Sequence, residues 1–311
     1  MSINGPFILA PVEITDAVLD STSVAEPAAG ETAWVSAGTY AVGDQRIRTA
    51  THRIYSCIVA HTGITTPPED DLTNWTDIGP TMRWAMFDGT VSTDTTATAT
   101  LTVVLSPGFF NAVALYKLTG SHITVTVKDE PGGATIYTYD DDLYEPFPDW
   151  YEWLFAPYRN RERLILRDIV PYPDAELTIT VTAAPAAAVG IGMVCIGDLR
   201  PLAASEKNSG TQYGASIEPI DYSYVKTDEF GTTRIVRRAS TTGLRASVFL
   251  PQEDADYAIA LLQEVLSVPV AFVAVDAYGY SNANVFGLVS GSVEYTGPKH
   301  SIANINVKGL I

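Results

Sequence analysis

The side chains with chemistry to offer are few and scattered. The histidines are His52, His61, His122 and His300, and no two fall at the spacing of H-E-x-x-H, where imidazoles one helical turn apart converge on a metal. Cys57 and Cys195 lie far apart, in segments that read as different domains, and neither belongs to a C-x-x-C pair. Both are expected as small buried residues rather than ligands or disulfide partners. There is no G-x-S-x-G elbow and no Walker-type loop, and Gly190-Ile191-Gly192 lacks the third glycine of a dinucleotide fingerprint. The one acidic run, Asp140-Asp141-Asp142, could serve as a calcium ligand set or as half of a glycosidase pair. Glycoside hydrolysis needs two carboxyls at a set spacing across a cleft, so three adjacent acids read more simply as a solvated loop. No metal, cofactor or catalytic activity is expected.

Charge narrows the partners. Against 36 acidic side chains there are 19 basic ones, for a net charge of −17, which opposes binding to a phosphate backbone because that depends on cations displacing counterions. Nucleic acid is not expected as a partner. The cations gather in Arg159 to Arg167 and Arg234 to Arg245, beside acids with which they are expected to pair, within or between subunits. The opening Met1-Ser2-Ile3-Asn4-Gly5-Pro6 has neither a basic nor an apolar region of a secretory leader. The most apolar stretch, Ala183 to Cys195, is shorter than a membrane span. The expectation is synthesis in the cytoplasm, no membrane insertion, and release only by lysis.

The elements that would position these residues read as four segments. Residues 1–35 carry Pro6, Pro11 and Pro27 and a small-residue run, Ala25 to Gly30, and are expected as an arm or edge strand followed by a linker. Residues 36–83 hold turn signals at Ala37-Gly38, Gly43-Asp44 and Pro67-Pro68 and no helical periodicity, so a small module of short strands is expected. Residues 84–204 show period-2 alternation at Leu101 to Leu105, Ile123 to Val127 and Leu177 to Thr182. Each run turns one apolar face inward and a threonine face outward, the pattern of a β-sandwich. Residues 205–311 begin with a polar linker, Ser205 to Gly210, and contain one helical run, about Gln252 to Leu266. Its apolar stripe is read as Ala255, Ile259, Leu262 and Leu266, and Glu253, Asp254 and Asp256 fall in the first turn, where the helix dipole favours acids. Strand-like runs surround it, giving a β-rich α+β domain. The whole is mainly β and multi-domain.

Aromatic residues supply the remaining functional candidates. Gly38-Thr39-Tyr40-Ala41-Val42-Gly43-Asp44, then Arg53-Ile54-Tyr55-Ser56-Cys57, then Pro67-Pro68 and Asn74-Trp75 resemble, in that order, the small chitin-binding-type carbohydrate-binding modules of families five and twelve. In those modules aromatic rings stack on sugar faces, and the resemblance implies that Tyr40, Tyr55 and Trp75 carry carbohydrate binding. The same rings could instead be the module's core, since about fifty residues have little else to bury. Trp84-Ala85-Met86-Phe87-Asp88-Gly89 is similar to the opening of galactose-binding-like jelly rolls, which implies a jelly-roll sandwich. Trp150, Trp153 and Tyr158, in an unusually aromatic stretch, are candidate interface anchors, because Trp and Tyr dominate binding hot spots.

The full order of arm, chitin-binding-like module, jelly roll and C-terminal domain resembles phage and prophage tail proteins often described as carbohydrate-binding. That resemblance implies a structural component of a tail tip or baseplate, located in the virion and assembled in the bacterial cytoplasm. It would form a ring or trimer with itself, meet other tail proteins, and touch host-surface glycan. A free lectin-like carbohydrate-binding protein without catalysis is the alternative.

Overall fold

Alternating sequence becomes alternating burial in the central sandwich. The computed structural model describes residues 6–144, 149–155, 160–204, 209–227, 229, 231–238, 240–275 and 280–310. The chain is mainly β. Strands Thr135–Asp142, His122–Lys128, Glu176–Thr182, Thr100–Leu105 and Leu19–Thr22 form, in that order, a five-stranded antiparallel sheet. Register aligns its inward residues in rows: Leu105, Leu177 and Val127, then Val103, Ile179 and Val125, then Leu101, Val181 and Ile123. All nine are buried, and burying each side chain contributes about 1.5–3 kcal/mol. The threonines between them face outward, and Thr102 and Thr180 meet hydroxyl to hydroxyl at 3.3 Å. Across this core lie Val113, Leu115, Leu164, Leu166, Val194 and Ile196, which belong to a second, larger sheet.

That sheet has ten strands and runs through most of the molecule. Arg163–Leu166, Ala112–Tyr116 and Met193–Pro201 close the sandwich; Pro269–Val273, Asn284–Glu294, His300–Gly309 and Ser240–Pro251 continue it, with Gly210–Thr211 and Ser216–Asp221 on the last of these. Between the two groups sits Phe7–Pro11. Leu9 pairs with Leu199 on one side and Ala271 on the other, and both Ile8 and Leu9 are fully buried. The segment expected as an arm or edge strand is therefore a central strand. Its prolines did suggest an edge, since proline cannot donate to a ladder. Pro6 and Pro11, however, stand just outside and at the end of the paired run, so the ladder is spared. Close approach here requires a glycine: a Cβ on Gly197 would lie 1.9 Å from the carbonyl oxygen of Ala10.

One long helix packs on the C-terminal part of this sheet. A 3-10 turn, Gln252–Asp254, leads into the helix Ala255–Glu264. The buried stripe is Ala255, Ala258, Leu261, Leu262 and Val265, facing Val270, Phe272, Val285, Val289 and Ile305. Leu266, expected in the stripe, is exposed, and Ile259 only half-buried. The helix stops at Glu264 and Ser267 turns to φ 64°, so Leu266 falls beyond the face that the helix presents. Arg200 grips the helix end, reaching both Glu264 carboxylate oxygens at 2.8 and 2.9 Å. The expected linker at Ser205 to Gly210 lies largely outside the described residues.

The small module is built from Gln45–Arg48, Arg53–Cys57 and Trp75–Pro80, with Thr39–Tyr40 paired to His61–Thr62. Residues 12–35 strap it to the sandwich. Glu26 meets His52 Nδ1 at 3.0 Å and accepts from Thr81 Oγ1 at 2.8 Å, while Asp16 meets His52 Nε2 at 3.1 Å. The His52 ring stacks on Trp84 with centroids 4.3 Å apart. Glu31 accepts the Met82 and Ala28 amides at 2.7 and 2.8 Å. The stretch expected as a linker is thus held at both ends.

Candidate functional site

The three aromatic residues expected to bind carbohydrate are brought together, but inside the module. Tyr40 and Tyr55 are 5% exposed and Trp75 1%, and with Cys57 they make its core. Tyr40 meets Trp75 edge to face at 4.9 Å. Its hydroxyl accepts from the Val35 amide at 2.8 Å and donates to the Val35 carbonyl at 2.7 Å. Tyr55 reaches Thr51 Oγ1 at 3.3 Å. A ring must offer a face to stack on a pyranose, and these have none to offer; a module this small buries its largest side chains first. Trp34, which sequence reading passed over, lies half-buried against the same cluster with the Arg48 guanidinium 5.0 Å from its ring centre. Arg48 is fixed in turn by a bidentate pair with Glu69, at 2.8 to 3.1 Å, which raises its own pKa and lowers that of Glu69, in which burial opposes the pairing.

Neither cysteine is set up to react. Both are free and buried, and burial raises the Cys57 thiol above its ordinary value and pushes Cys195 up to about 12, whereas a nucleophile needs the thiolate. The acidic run belongs to the edge strand Thr135–Asp142 rather than to a loop. Asp140 and Asp142 bracket His122, at 3.0 Å from Nε2 and 2.9 Å from Nδ1, and Asp140 also accepts from Thr124 at 2.6 Å. Hydrogen bonds to Asp142 and Asp140 raise the His122 pKa; those from Thr124 and His122 lower that of Asp140. Asp141 faces away and pairs with Arg161 at 3.2 Å. Among the described residues no group of three or more His, Cys, Asp or Glu is placed to hold a metal, and no helix is long and apolar enough to cross a membrane.

The surface is where unexplained side chains gather. Trp150 stands on a short helix, Trp150–Phe155, and is 73% exposed, with Tyr151, Leu154 and Phe155 also exposed. The Trp153 side chain and Tyr158 lie outside what the structure describes. A second surface was not foreseen as one. Strands Tyr224–Thr227 and Thr233–Val236 form a separate two-stranded hairpin in which every residue is exposed. It stands off the strand pair Ser216–Asp221 and Ser240–Pro251. The signal was available: Tyr224-Val225-Lys226-Thr227 and Thr233-Arg234-Ile235-Val236 are strand-like runs without the period-2 apolar face that a half-buried strand shows. Of the two cationic stretches, Arg161, Arg167 and Arg245 find carboxylates, Arg167 that of Asp168 at 3.7 Å and Arg245 that of Glu218 at 3.6 Å. Arg234, Arg237 and Arg238 make no ion pair among the described residues.

A cavity of about 340 Å³ opens where the sandwich meets the C-terminal strands, lined by Tyr116, Lys117, Arg163, Thr241 and Phe286 among others. Its cations are already engaged: Lys117 with the Ser92 carbonyl and Asp94, Arg163 with the Asn284 carbonyl.

No protein-family model matches the chain, and no curated protein matches it. Among solved structures, it is similar to a variant of chitosan-binding module 1 from a chitosanase/glucanase of Paenibacillus sp. IK-5, at 10% identity over 36% of this chain and 81% of that one, with a TM-score of 0.25. A likeness at that score carries no statement about function.

Proposed function

We propose that this chain is a non-catalytic structural protein of a bacteriophage tail tip or baseplate, assembled in the host cytoplasm and carried in the virion. The observation that supports it best is the hairpin at residues 224–236, whose strands expose apolar side chains on both faces and the cations Lys226 and Arg234 on one of them. A monomer gains nothing from such a surface, and large exposed apolar patches usually mark partner sites. The modular β architecture and the order of segments along the chain point the same way. Its partners are further copies of itself and neighbouring tail proteins. A free lectin acting through Tyr40, Tyr55 and Trp75 is not proposed, because no more than 5% of any of the three is exposed.

The test is to purify particles from a host carrying the gene, measure the protein by mass spectrometry and locate it with gold-labelled antibody. Label at the distal end of the tail is expected. Particles free of the protein would overturn the reading.

A further inference from the structure

The cavity where the sandwich meets the C-terminal strands is made by curvature. Tyr116 and Phe286 stand on strands Ala112–Tyr116 and Asn284–Glu294, which are separated in the ten-stranded sheet by Met193–Pro201, Phe7–Pro11 and Pro269–Val273. At about 4.8 Å per strand, a flat sheet would hold them about 19 Å apart. Their ring centres are 5.6 Å apart, so the sheet curls until the two strands face each other across its concave side. Arg163, on the edge strand and opposite Tyr116 in register, reaches over the same gap and donates from Nη1 to the Asn284 carbonyl at 3.1 Å. The space beside these contacts is the cavity of about 340 Å³, a volume in the range of small-molecule sites.

Two polar groups on its lining are left over. The Tyr116 hydroxyl is enclosed and has no hydrogen-bond partner among the described residues, a condition that folded proteins seldom tolerate. Burial raises its pKa against the opposing pull of the Arg163 charge, so the phenol keeps its proton and can donate it. Arg163 is half-buried. Once Nη1 is committed to Asn284, its Nε and Nη2 have no acceptor, and no carboxylate pairs with it, among the described residues. Lys117, by contrast, is neutralised by Asp94. The lining therefore holds a guanidinium without a counter-ion and a phenol without an acceptor, in a chain whose acids outnumber its bases by 36 to 19.

An anion would satisfy both groups, and the other walls say of what kind. A guanidinium edge takes a carboxylate through two parallel N–H bonds. Val91, Val285, Phe286 and Leu310 offer apolar surface, which suits a ligand with a hydrophobic body. The exposed Glu162 also lines the cavity, and its charge repels a dianion such as phosphate more strongly than a monoanion.

We propose that this cavity binds a small organic monocarboxylate with an aromatic body, its carboxylate held by Arg163 and Tyr116 and its body against Phe286 and Val285. The site goes beyond the structural role proposed above and stands or falls separately from it.

The experiment titrates benzoate and 3-phenylpropanoate into the full chain by calorimetry, with benzamide and inorganic phosphate as comparisons. At least one carboxylate should bind with a Kd of about 1 mM or below. Benzamide, which has the shape of benzoate without its charge, should bind about tenfold more weakly, and phosphate should not displace the carboxylate. The deciding variant is Tyr116→Phe. Since the hydroxyl has nothing to bond in the unliganded protein, its removal should leave the melting temperature unchanged or raised, yet weaken carboxylate binding about tenfold. Arg163→Lys, which keeps a cation without the two-pronged geometry, should weaken binding to a similar degree with the circular dichroism of the parent. No binding of either carboxylate at about 10 mM, benzamide or phosphate binding as tightly, or Tyr116→Phe binding like its parent would each overturn the proposal. A hydroxyl satisfied by water alone would give the last of these results.

Discussion

At Trp75 the roles of ligand platform and core residue are separated by one measurement. The indole is almost fully enclosed by Tyr40, Tyr55, His61 and Cys57, so Trp75→Ala should open a cavity and cost about 3–5 kcal/mol, enough to melt the module. Loss of order in residues 39–80 by hydrogen exchange is the expected outcome; an intact module that merely failed to bind polysaccharide would show that the ring acts at the surface after all. His122 offers a test in pH. Its partners Asp142 and Asp140 raise its pKa above the ordinary 6.5, so the folded state binds the proton more tightly than the unfolded chain does. The resulting stabilisation is complete below pH 6.5 and is lost as pH rises through the elevated folded value. Asp140, lowered from 3.8, acts in the opposite sense: its contribution is present above that value and disappears as acid takes the pH through the depressed one. In His122→Gln the decline in stability just above pH 6.5 should vanish while the acid-side loss remains. A pH profile identical to the parent's in denaturant titrations would mean that the three side chains do not act on one another in solution.

Among the elements, those that could be read from the sequence owe their form to a single buried face. Leu101 to Leu105, Ile123 to Val127 and Leu177 to Thr182 alternate because one side of each strand meets the core and the other meets water, so period alone places them. The helix is equally visible, but its buried stripe runs through Ala258 and Val265, each one residue before the Ile259 and Leu266 that the spacing predicts, and nothing local announces that Glu264 is its last residue. Strand Phe7–Pro11 was hidden for another reason. It is buried on both faces, so FILAP carries no alternation, and its partners lie in sequence some 190 and 260 residues away. The carbohydrate trio was legible as a cluster and not as a surface, because spacing shows that rings converge without showing whether water reaches them. Gly197 marks the place where this hidden strand is admitted. Gly197→Ala would drive a methyl into the Ala10 carbonyl, and backbone cannot swing aside as a side-chain tip would. Destabilisation near or above the upper end of the about 1–3 kcal/mol typical of overpacking is expected in urea unfolding; a change below about 0.5 kcal/mol would mean that the two strands do not approach this closely.

At the scale of the molecule, that single strand joins into one sheet what the sequence divides into separate segments. Ile8 enters the core beneath the helix with Phe272 and Val248, while Leu9, on the opposite face, joins Ala114, Tyr116, Cys195, Ala271 and Phe286. Phe7–Pro11 thus contributes to two cores and supplies both sides of the seam with hydrogen bonds. Without it, Met193–Pro201 and Pro269–Val273 would each present an unpaired edge, the arrangement through which sheets aggregate. A carboxylate in place of Leu9 would be buried without a partner, at a cost of several kcal/mol. Leu9→Asp should therefore do more than lower stability. In the parent, amides of Met193–Pro201 and Pro269–Val273 should exchange with a common opening free energy, as members of one cooperative unit do. In the variant the two should separate, the sandwich retaining protection through its own five-stranded partner sheet and the C-terminal strands through the helix. Equal loss in both would instead mean that neither half can hold its fold when the seam opens, and that the boundary near residue 204, plain in the sequence, has no counterpart in the energetics.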